Sequence, residues 1–240
     1  MHRSPGNSSP KLSVGDESGF FVFIHTMREF DILSSAFSQH RLNKYLLFHN
    51  GDKEKAMQHY KFNIYLSQAM YTSLSVFEVT LRNALSNELQ IMSKDVSWID
   101  TICQNPNLLD FHSDIDHAIK QISNRHEPVT VNKVIAELNL GFWVMLLNSK
   151  YENILWKHLR KAFPNLPKKD RKRKTVSRIC NLIRNFRNRI FHNEAICWNL
   201  EYVKKLHGDL VEAVSWINKD VASWLVSIDK FDSVCAEIDI

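Results

Sequence analysis

The chain has 240 residues, 44% hydrophobic and 24% charged, which is the composition of a globular protein with room for a sizeable core. Six glycines and six prolines are too few for a sandwich or barrel with many turns, and no apolar run is long enough to span a membrane. The first twenty residues lack a signal-peptide pattern and the four cysteines form no CxxC pair, so we expect a cytoplasmic protein without structural zinc or disulfides.

The N-terminal half predicts a tail followed by long helices. Residues 1–19 are rich in Ser, Gly and Pro and predict a flexible tail, whereas residues 20–240 predict one all-helical domain. Ser38 is suited to begin a helix that ends at Asn50-Gly51. From 52 to 92, residues recur at steps of three and four without Gly or Pro, which predicts one long helix. This stripe contains Ala56, Tyr60, Ile64, Ser67, Tyr71, Leu74, Phe77 or Glu78, Leu81, Leu85 and Leu89.

The C-terminal half continues the helical pattern, so the predicted fold class is all-α, with six to eight helices. Thr130 is suited to begin one segment, in which Gly141 either lets a neighbouring backbone approach or marks a break. A helix over 107–124 should turn Leu109, Ile115, Ile119 and Ile122 inward, and Phe142 and Trp143 should pack in the core. Further helices are predicted over 151–163, 171–192 and 199–226.

Positive charge is concentrated in one segment. Residues 168–191 contain ten Lys and Arg against one Asp, a net charge of +9, whereas the whole chain carries +5 and the remainder therefore −4. Such a segment favours a docking site for a polyanion, although a solvated basic helix face would have the same composition. The candidate anion-binding residues are Lys168, Lys169, Arg171, Lys172, Arg173, Lys174, Arg184 and Arg189.

The basic helix ends in a cluster of residues suited to phosphodiester chemistry. On an ideal helix, Arg184, Asn188 and His192 fall within about 80° of each other, while Arg187 is about 140° from His192. A second copy across a two-fold axis could bring two such sets into one cleft. Histidine can take a proton from a hydroxyl, arginine can hold a phosphate, and asparagine can orient either group. These parts suffice for RNA cleavage in which the ribose 2′-hydroxyl attacks the adjacent phosphate.

Three blocks, in order, resemble the Abi-like (abortive infection) proteins of the HEPN superfamily. Residues 187–194 (RNRIFHNE) resemble the R-x4-H hallmark, 77–83 resemble the mid-helix Glu/Arg-Asn motif, and 134–143 resemble the block ending in GFW. The resemblance covers about 38–215. It implies an all-helical homodimer with its motifs at the interface and metal-independent endoribonuclease activity in a toxin or phage-defence effector, with no cofactor.

Residue roles follow from the same resemblance. His192 would be the general base or proton donor, Arg187 would hold the scissile phosphate and Asn188 would position one of them. Glu194 resembles the acidic residue after the histidine. Glu78 and Arg82 would form an ordinary i, i+4 pair if exposed, or brace the motif helix if buried, and Asn83 could hydrogen-bond that helix.

Two other functions remain open at this stage. The chain could be a non-catalytic module that binds RNA or a partner through the basic segment, or a structural dimerisation protein in a larger defence complex. An antitoxin or defence-system partner is compatible with each of these possibilities. RNA binding that weakens with salt and does not change when His192 is substituted would favour the non-catalytic binding module.

Overall fold

The computed structural model describes residues 29–94 and 97–236, and within these ranges the chain forms helices and turns but no β-strand. The predicted all-α fold is therefore confirmed. Twelve α-helical segments occur in the described residues, so the expected count of six to eight was too low. They are α1 (residues 29–37), α2 (Gln39–Phe48), α3 (Lys53–Ser93), α4 (Trp98–Gln104), α5 (His112–Asn124), α6 (Val131–Glu137), α7 (Leu140–Met145), α8 (Lys157–Leu159), α9 (Arg173–Phe191), α10 (Leu200–Ile217), α11 (Lys219–Ile228) and α12 (Phe231–Ala236). The predicted tail over 1–19 lies outside the described residues.

The chain divides into two compact units at Phe62/Asn63, within α3. In the first unit, ion pairs from Lys53 to Asp31 and from Lys61 to Glu29 join α3 to α1. Its core contains Phe30, Leu42, Tyr45, Ala56, Met57 and Tyr60. The second unit contains the rest of α3 and all later helices, and in it α9 packs against α7 and α10.

Helix α3 matches the long helix predicted over 52–92 to within one residue at each end. Its first turn is capped because the Asp52 carboxylate accepts hydrogen bonds from the backbone N–H groups of Glu54 and Lys55. Most residues of the stripe found in the sequence are buried, but Ile64 and Tyr71 in its middle are exposed. Neighbouring apolar positions are buried instead, including Leu66 and Met70. Apolar residues occur on more than one side of this helix, so periodicity alone does not select the buried side.

An aromatic cluster forms much of the core of the second unit. Phe142 and Trp143 are buried as predicted, and Trp98 packs against both, at ring-centroid distances of 6.2 and 5.8 Å. The break in this segment falls before Gly141, where Asn139 caps α7 through its side chain. A Cβ on Gly141 would lie 2.8 Å from the Asn139 Oδ1 atom, so the glycine makes room for the cap.

Two other helix predictions were wrong in detail. The segment predicted as one helix over 199–226 is broken at Asn218, whose extended backbone ends α10 and whose side chain caps α11. Trp216 is consequently buried, whereas Trp224 is exposed. The segment predicted over 107–124 begins as a 3₁₀-helix, Pro106–Phe111, which buries Leu108 rather than Leu109. The tighter 3₁₀ winding moves the inward position by one residue.

Candidate functional site

The R-x4-H motif lies at the C-terminal end of α9, where the chain leaves the helix abruptly. His192 is the C-cap, and Asn193 follows in the left-handed conformation with φ of 54°. The N–H of Glu194 donates to the Arg189 carbonyl and the N–H of Asn193 donates to the Ile190 carbonyl. These two bonds form a Schellman motif, which satisfies the last carbonyls of the helix. The His-Asn-Glu run therefore serves as a helix terminator as well as a candidate site.

A cleft of about 240 Å³ lies between α3 and α9, within the second unit. Arg187, which the motif predicts as the phosphate-binding residue, lines this cleft, and so do Glu78 and Arg82 of the mid-helix motif. Residues 78 and 187 are far apart in sequence, so the fold brings these two motifs together. The full lining is Tyr71, Leu74, Ser75, Glu78, Val79, Arg82, Arg187 and Phe191.

Arg187 is held between a carboxylate and an aromatic ring. Its guanidinium carbon lies 3.9 Å from the centroid of the Phe191 ring, a close cation–π contact. Its Nε atom lies 3.7 Å from the Glu78 carboxylate, which is an ion pair but too long for a hydrogen bond. The pair is partly exposed, with about a quarter of each side chain accessible to solvent. Glu78 thus contacts the motif helix through a partly exposed ion pair, which is neither the exposed pair with Arg82 nor the buried brace expected from the sequence.

Arg82 enters the same cleft without such a neighbour. Its Nε atom is buried and lacks a hydrogen-bond acceptor among the described residues. No carboxylate in the described part of the chain forms an ion pair with it, and the expected pairing with Glu78 is replaced by the contact from Glu78 to Arg187. Asn83, the next residue, is exposed and forms no hydrogen bond with any described residue of α9.

His192 and Asn188 lie outside this cleft. Both side chains are exposed, and neither residue is part of the cleft lining. Within one subunit the structure therefore brings Arg187 together with Glu78 and Arg82, but not with the imidazole of His192. The ring of His192 has no hydrogen-bond partner among the residues described, whereas its backbone N–H donates to the Asn188 carbonyl.

Two further arginines near the motif have local contacts. Arg189 donates from Nε to the Glu194 carboxylate at 3.1 Å and from Nη2 to the Ala195 carbonyl at 2.9 Å. These bonds join the helix end to the following loop, so Glu194 contacts Arg189 rather than His192. Arg184 is half-buried, and its Nε atom has no acceptor in the described ranges.

The basic segment divides into structural arginines and exposed lysines. Arg171 donates to the carbonyls of Pro164 and Leu166, and Arg173 donates to the Glu152 carboxylate and the Leu147 carbonyl. In the first part of this segment, residues 168–174, the exposed basic side chains are those of Lys168, Lys169, Lys172 and Lys174; Arg178 is exposed further along α9. Residues 173 and 187 are separated by about 21 Å along the axis of α9, at about 1.5 Å per residue. The lysines and the cleft therefore occupy opposite ends of this helix.

Asn63 positions the loop after the motif, and the sequence analysis did not identify it. Its side-chain oxygen accepts hydrogen bonds from the backbone N–H groups of Ile196 (2.7 Å) and Cys197 (3.3 Å). The residue is buried, so this double bond ties α3 to the chain directly beyond the R-x4-H motif. In the sequence, Asn63 stands out only as a polar residue among apolar neighbours on α3. Its hydrogen-bond partners lie more than 130 positions away, so the sequence pattern does not reveal them.

Two cysteines close to the motif in sequence, Cys180 and Cys197, are buried. Burial raises the pKa of the Cys180 thiol to about 12. Three or more His, Cys, Asp or Glu side chains do not cluster as metal ligands within residues 29–94 and 97–236. Every helix in those ranges is too short or too polar to cross a lipid bilayer.

Comparisons of the chain with protein-family models, with curated proteins and with solved structures found no match. The resemblance to Abi-like proteins consequently stays a prediction from the three sequence blocks. What the structure adds is the meeting of two of these blocks, residues 77–83 and 187–194, at one cleft.

Proposed function

We propose that this protein is a HEPN-type endoribonuclease that acts as a toxin or phage-defence effector. The observation that carries the proposal is the open cleft where Arg187 of the R-x4-H motif lies beside Arg82 and Glu78. His192 is exposed outside this cleft. Two guanidinium groups against one carboxylate leave a net positive charge, which suits a phosphodiester. Histidine is the residue type that most often serves as a general base, and the motif supplies one in His192.

In the proposed mechanism, His192 removes the proton from a ribose 2′-hydroxyl, whose oxygen attacks the adjacent phosphorus atom. The bond to the 5′-oxygen breaks, and that oxygen takes up a proton from water, while His192 afterwards releases to water the proton that it removed. Arg187 stabilises the negative charge that builds on the phosphate oxygens, and Asn188 orients the histidine or the phosphate. The products are a 2′,3′-cyclic phosphate and a 5′-hydroxyl. The reaction uses side chains of two protomers. Arg187 of one subunit lines the cleft, whereas His192 of the same subunit lies outside it, so a second protomer has to bring a histidine to the phosphate.

The decisive experiment incubates the purified protein with total RNA, with and without EDTA. We expect cleavage in both conditions and 2′,3′-cyclic phosphate ends, because the proposed chemistry needs no metal. His192→Ala should abolish cleavage, since the variant lacks the general base. His117→Ala is the matched control, because His117 is also an exposed helical histidine and should be dispensable. Cleavage by the His192 variant at the wild-type rate, or cleavage that EDTA stops, would contradict the mechanism.

A non-catalytic module that binds RNA or a partner is the second candidate. Two observations favour it: the Glu78 carboxylate partly neutralises Arg187, and no described residue orients the His192 ring by a hydrogen bond. Under this function, wild-type protein binds RNA with strong salt dependence and leaves it intact. The same incubation separates the two functions, because only the enzyme shortens the RNA.

A further inference from the structure

We infer that the cleft between α3 and α9 is a nucleotide subsite, in which Arg82 binds a phosphate and Tyr71 stacks on the neighbouring base. The inference rests on the proposed function for its choice of RNA as ligand, and it extends that function to residues that the motif does not assign. Arg82 thereby becomes a substrate contact instead of a support for the motif helix.

The charge distribution in the cleft singles out Arg82. Arg187 already has the Glu78 carboxylate at 3.7 Å and the Phe191 ring at 3.9 Å. The buried Nε–H groups of Arg82 and Arg187 both lack an acceptor within the described residues, so the difference between the two arginines is the ion pair. Arg82 has no ion pair there, so its positive charge stays uncompensated at the open cleft and suits an anionic ligand. A phosphate oxygen is the acceptor that an arginine fork binds best.

The mouth of the cleft carries two exposed aromatic rings. Tyr71 is 55% exposed and Phe191 is 47% exposed, although both are large rings that a folded chain normally buries. Their centroids are 6.0 Å apart, less than the roughly 7 Å that a base inserted between two rings requires. The base must therefore lie on an outer face, and one face of Phe191 is already covered by Arg187. Tyr71 is then the open platform.

The dimensions match a single nucleotide. A volume of about 240 Å³ is below the range of roughly 300–1,000 Å³ that holds drug-sized ligands. One phosphate with its sugar fits such a space, while the base rests on the rim. The competing occupant is a side chain of a second copy of this chain, and that possibility is an outcome of the test.

The test measures binding of a fluorescein-labelled RNA hexanucleotide to the full-length His192→Ala protein by fluorescence anisotropy. Tyr71→Leu should weaken binding about tenfold, because the base loses its stacking partner. Tyr65→Leu is a matched control, since Tyr65 is also 55% exposed on α3 but does not line the cleft. We expect that control to bind with unchanged affinity.

A second set of variants tests whether the positive charge of Arg82 binds a phosphate. Arg82→Gln should weaken binding about tenfold and reduce the slope of log K against log salt by about 0.7, the loss of one phosphate contact on a single strand. Arg82→Lys should restore the slope but not the full affinity, because lysine lacks the planar fork. Lys120→Gln removes one exposed positive charge from α5 and should leave the slope unchanged.

A hexanucleotide with abasic sites separates the two contacts. With this probe the effect of Tyr71→Leu should vanish, while the effect of Arg82→Gln should persist. If Tyr71→Leu and Arg82→Gln bind like their controls, the subsite is wrong even where the wild-type protein cleaves RNA. If the wild-type protein leaves RNA intact but these variants bind as expected, the proposed catalysis fails and the subsite stands. Loss of dimers in Tyr71→Leu but not in Tyr65→Leu would assign the cleft to a second copy and overturn the inference.

Discussion

At the scale of single residues, the candidate site depends on groups whose partners lie far away in sequence. The spacing Arg187-x4-His192 can be read from the sequence, but Glu78 and Asn63 acquire their roles only through contacts with α9 and the loop behind it. Asn193 is an exception. Its left-handed backbone belongs to the local Schellman motif, and asparagine at this position is itself a recognised signal for a helix end.

Asn193 should therefore tolerate glycine but not a β-branched residue. Asn193→Gly is expected to change the free energy of unfolding by only a few tenths of a kcal/mol, because glycine adopts φ of 54° without strain. Asn193→Val should lose about 1–2 kcal/mol, the cost of the left-handed conformation for an ordinary side chain. Urea denaturation followed by circular dichroism measures both values.

The control for this stability prediction is Asn185→Val. Asn185 is exposed within α9, where valine and asparagine have nearly equal helix propensity, so this substitution should change the free energy of unfolding by only a few tenths of a kcal/mol. Equal losses at positions 185 and 193 would show that the helix end imposes no special requirement.

At the scale of elements, α9 separates two sets of residues that the sequence places in one basic segment. The exposed lysines 168, 169 and 172 precede the helix and Lys174 lies in its first turn, whereas its C-terminal end carries the motif. Arg171 and Arg173 lie between these lysines but bond to carbonyls and to Glu152 instead. Charge composition cannot distinguish the two groups, because both have the same formal charge and only burial tells them apart.

Replacing the four lysines with glutamine should weaken RNA binding without abolishing RNA cleavage. If each lysine contacts one phosphate of a single strand, the salt slope falls by about 3, at about 0.7 per contact. The rate of cleavage at saturating RNA should stay near that of the wild type, since Lys174 lies about 20 Å from Arg187 along α9 and the other three lysines precede the helix. Filter binding across a salt series, together with single-turnover cleavage, checks both statements.

Arg173→Gln is the counterpart of the lysine variant. The Arg173 side chain is 14% exposed and paired with Glu152. The substitution should therefore lower the free energy of unfolding and leave the salt dependence of RNA binding unchanged. A salt slope that falls as much for Arg173→Gln as for a single lysine variant would mean that the arginine also binds RNA.

At the scale of the whole molecule, the proposed chemistry needs two copies of the chain. Within one subunit Arg187 lines the cleft and His192 lies outside it. A two-fold axis near the end of α9 would let the arginine of one protomer and the histidine of its partner meet around one phosphodiester.

Mixing two inactive variants tests this arrangement. Arg187→Ala and His192→Ala proteins should each be inactive, but random exchange between them makes half of the dimers mixed. Each mixed dimer then has one complete site of two, so about a quarter of the wild-type activity should return if the site combines residues from both protomers. Cleavage of labelled RNA before and after mixing measures the recovery. No recovery, despite mixed dimers seen by native mass spectrometry, would place both residues of a site in the same protomer.

The amino-acid sequence alone determined the helical class, the long helix α3, the limits of α9 and the position of the R-x4-H motif. These properties depend on periodicity and on Gly, Pro and capping residues within a few positions of each other, which are local quantities. Only the tertiary structure decided that α3 exposes Tyr71, that Glu78 pairs with Arg187, and that Arg82 has no partner among the described residues. Such facts arise from packing between segments distant in sequence, since the buried side of a helix depends on the helices that surround it.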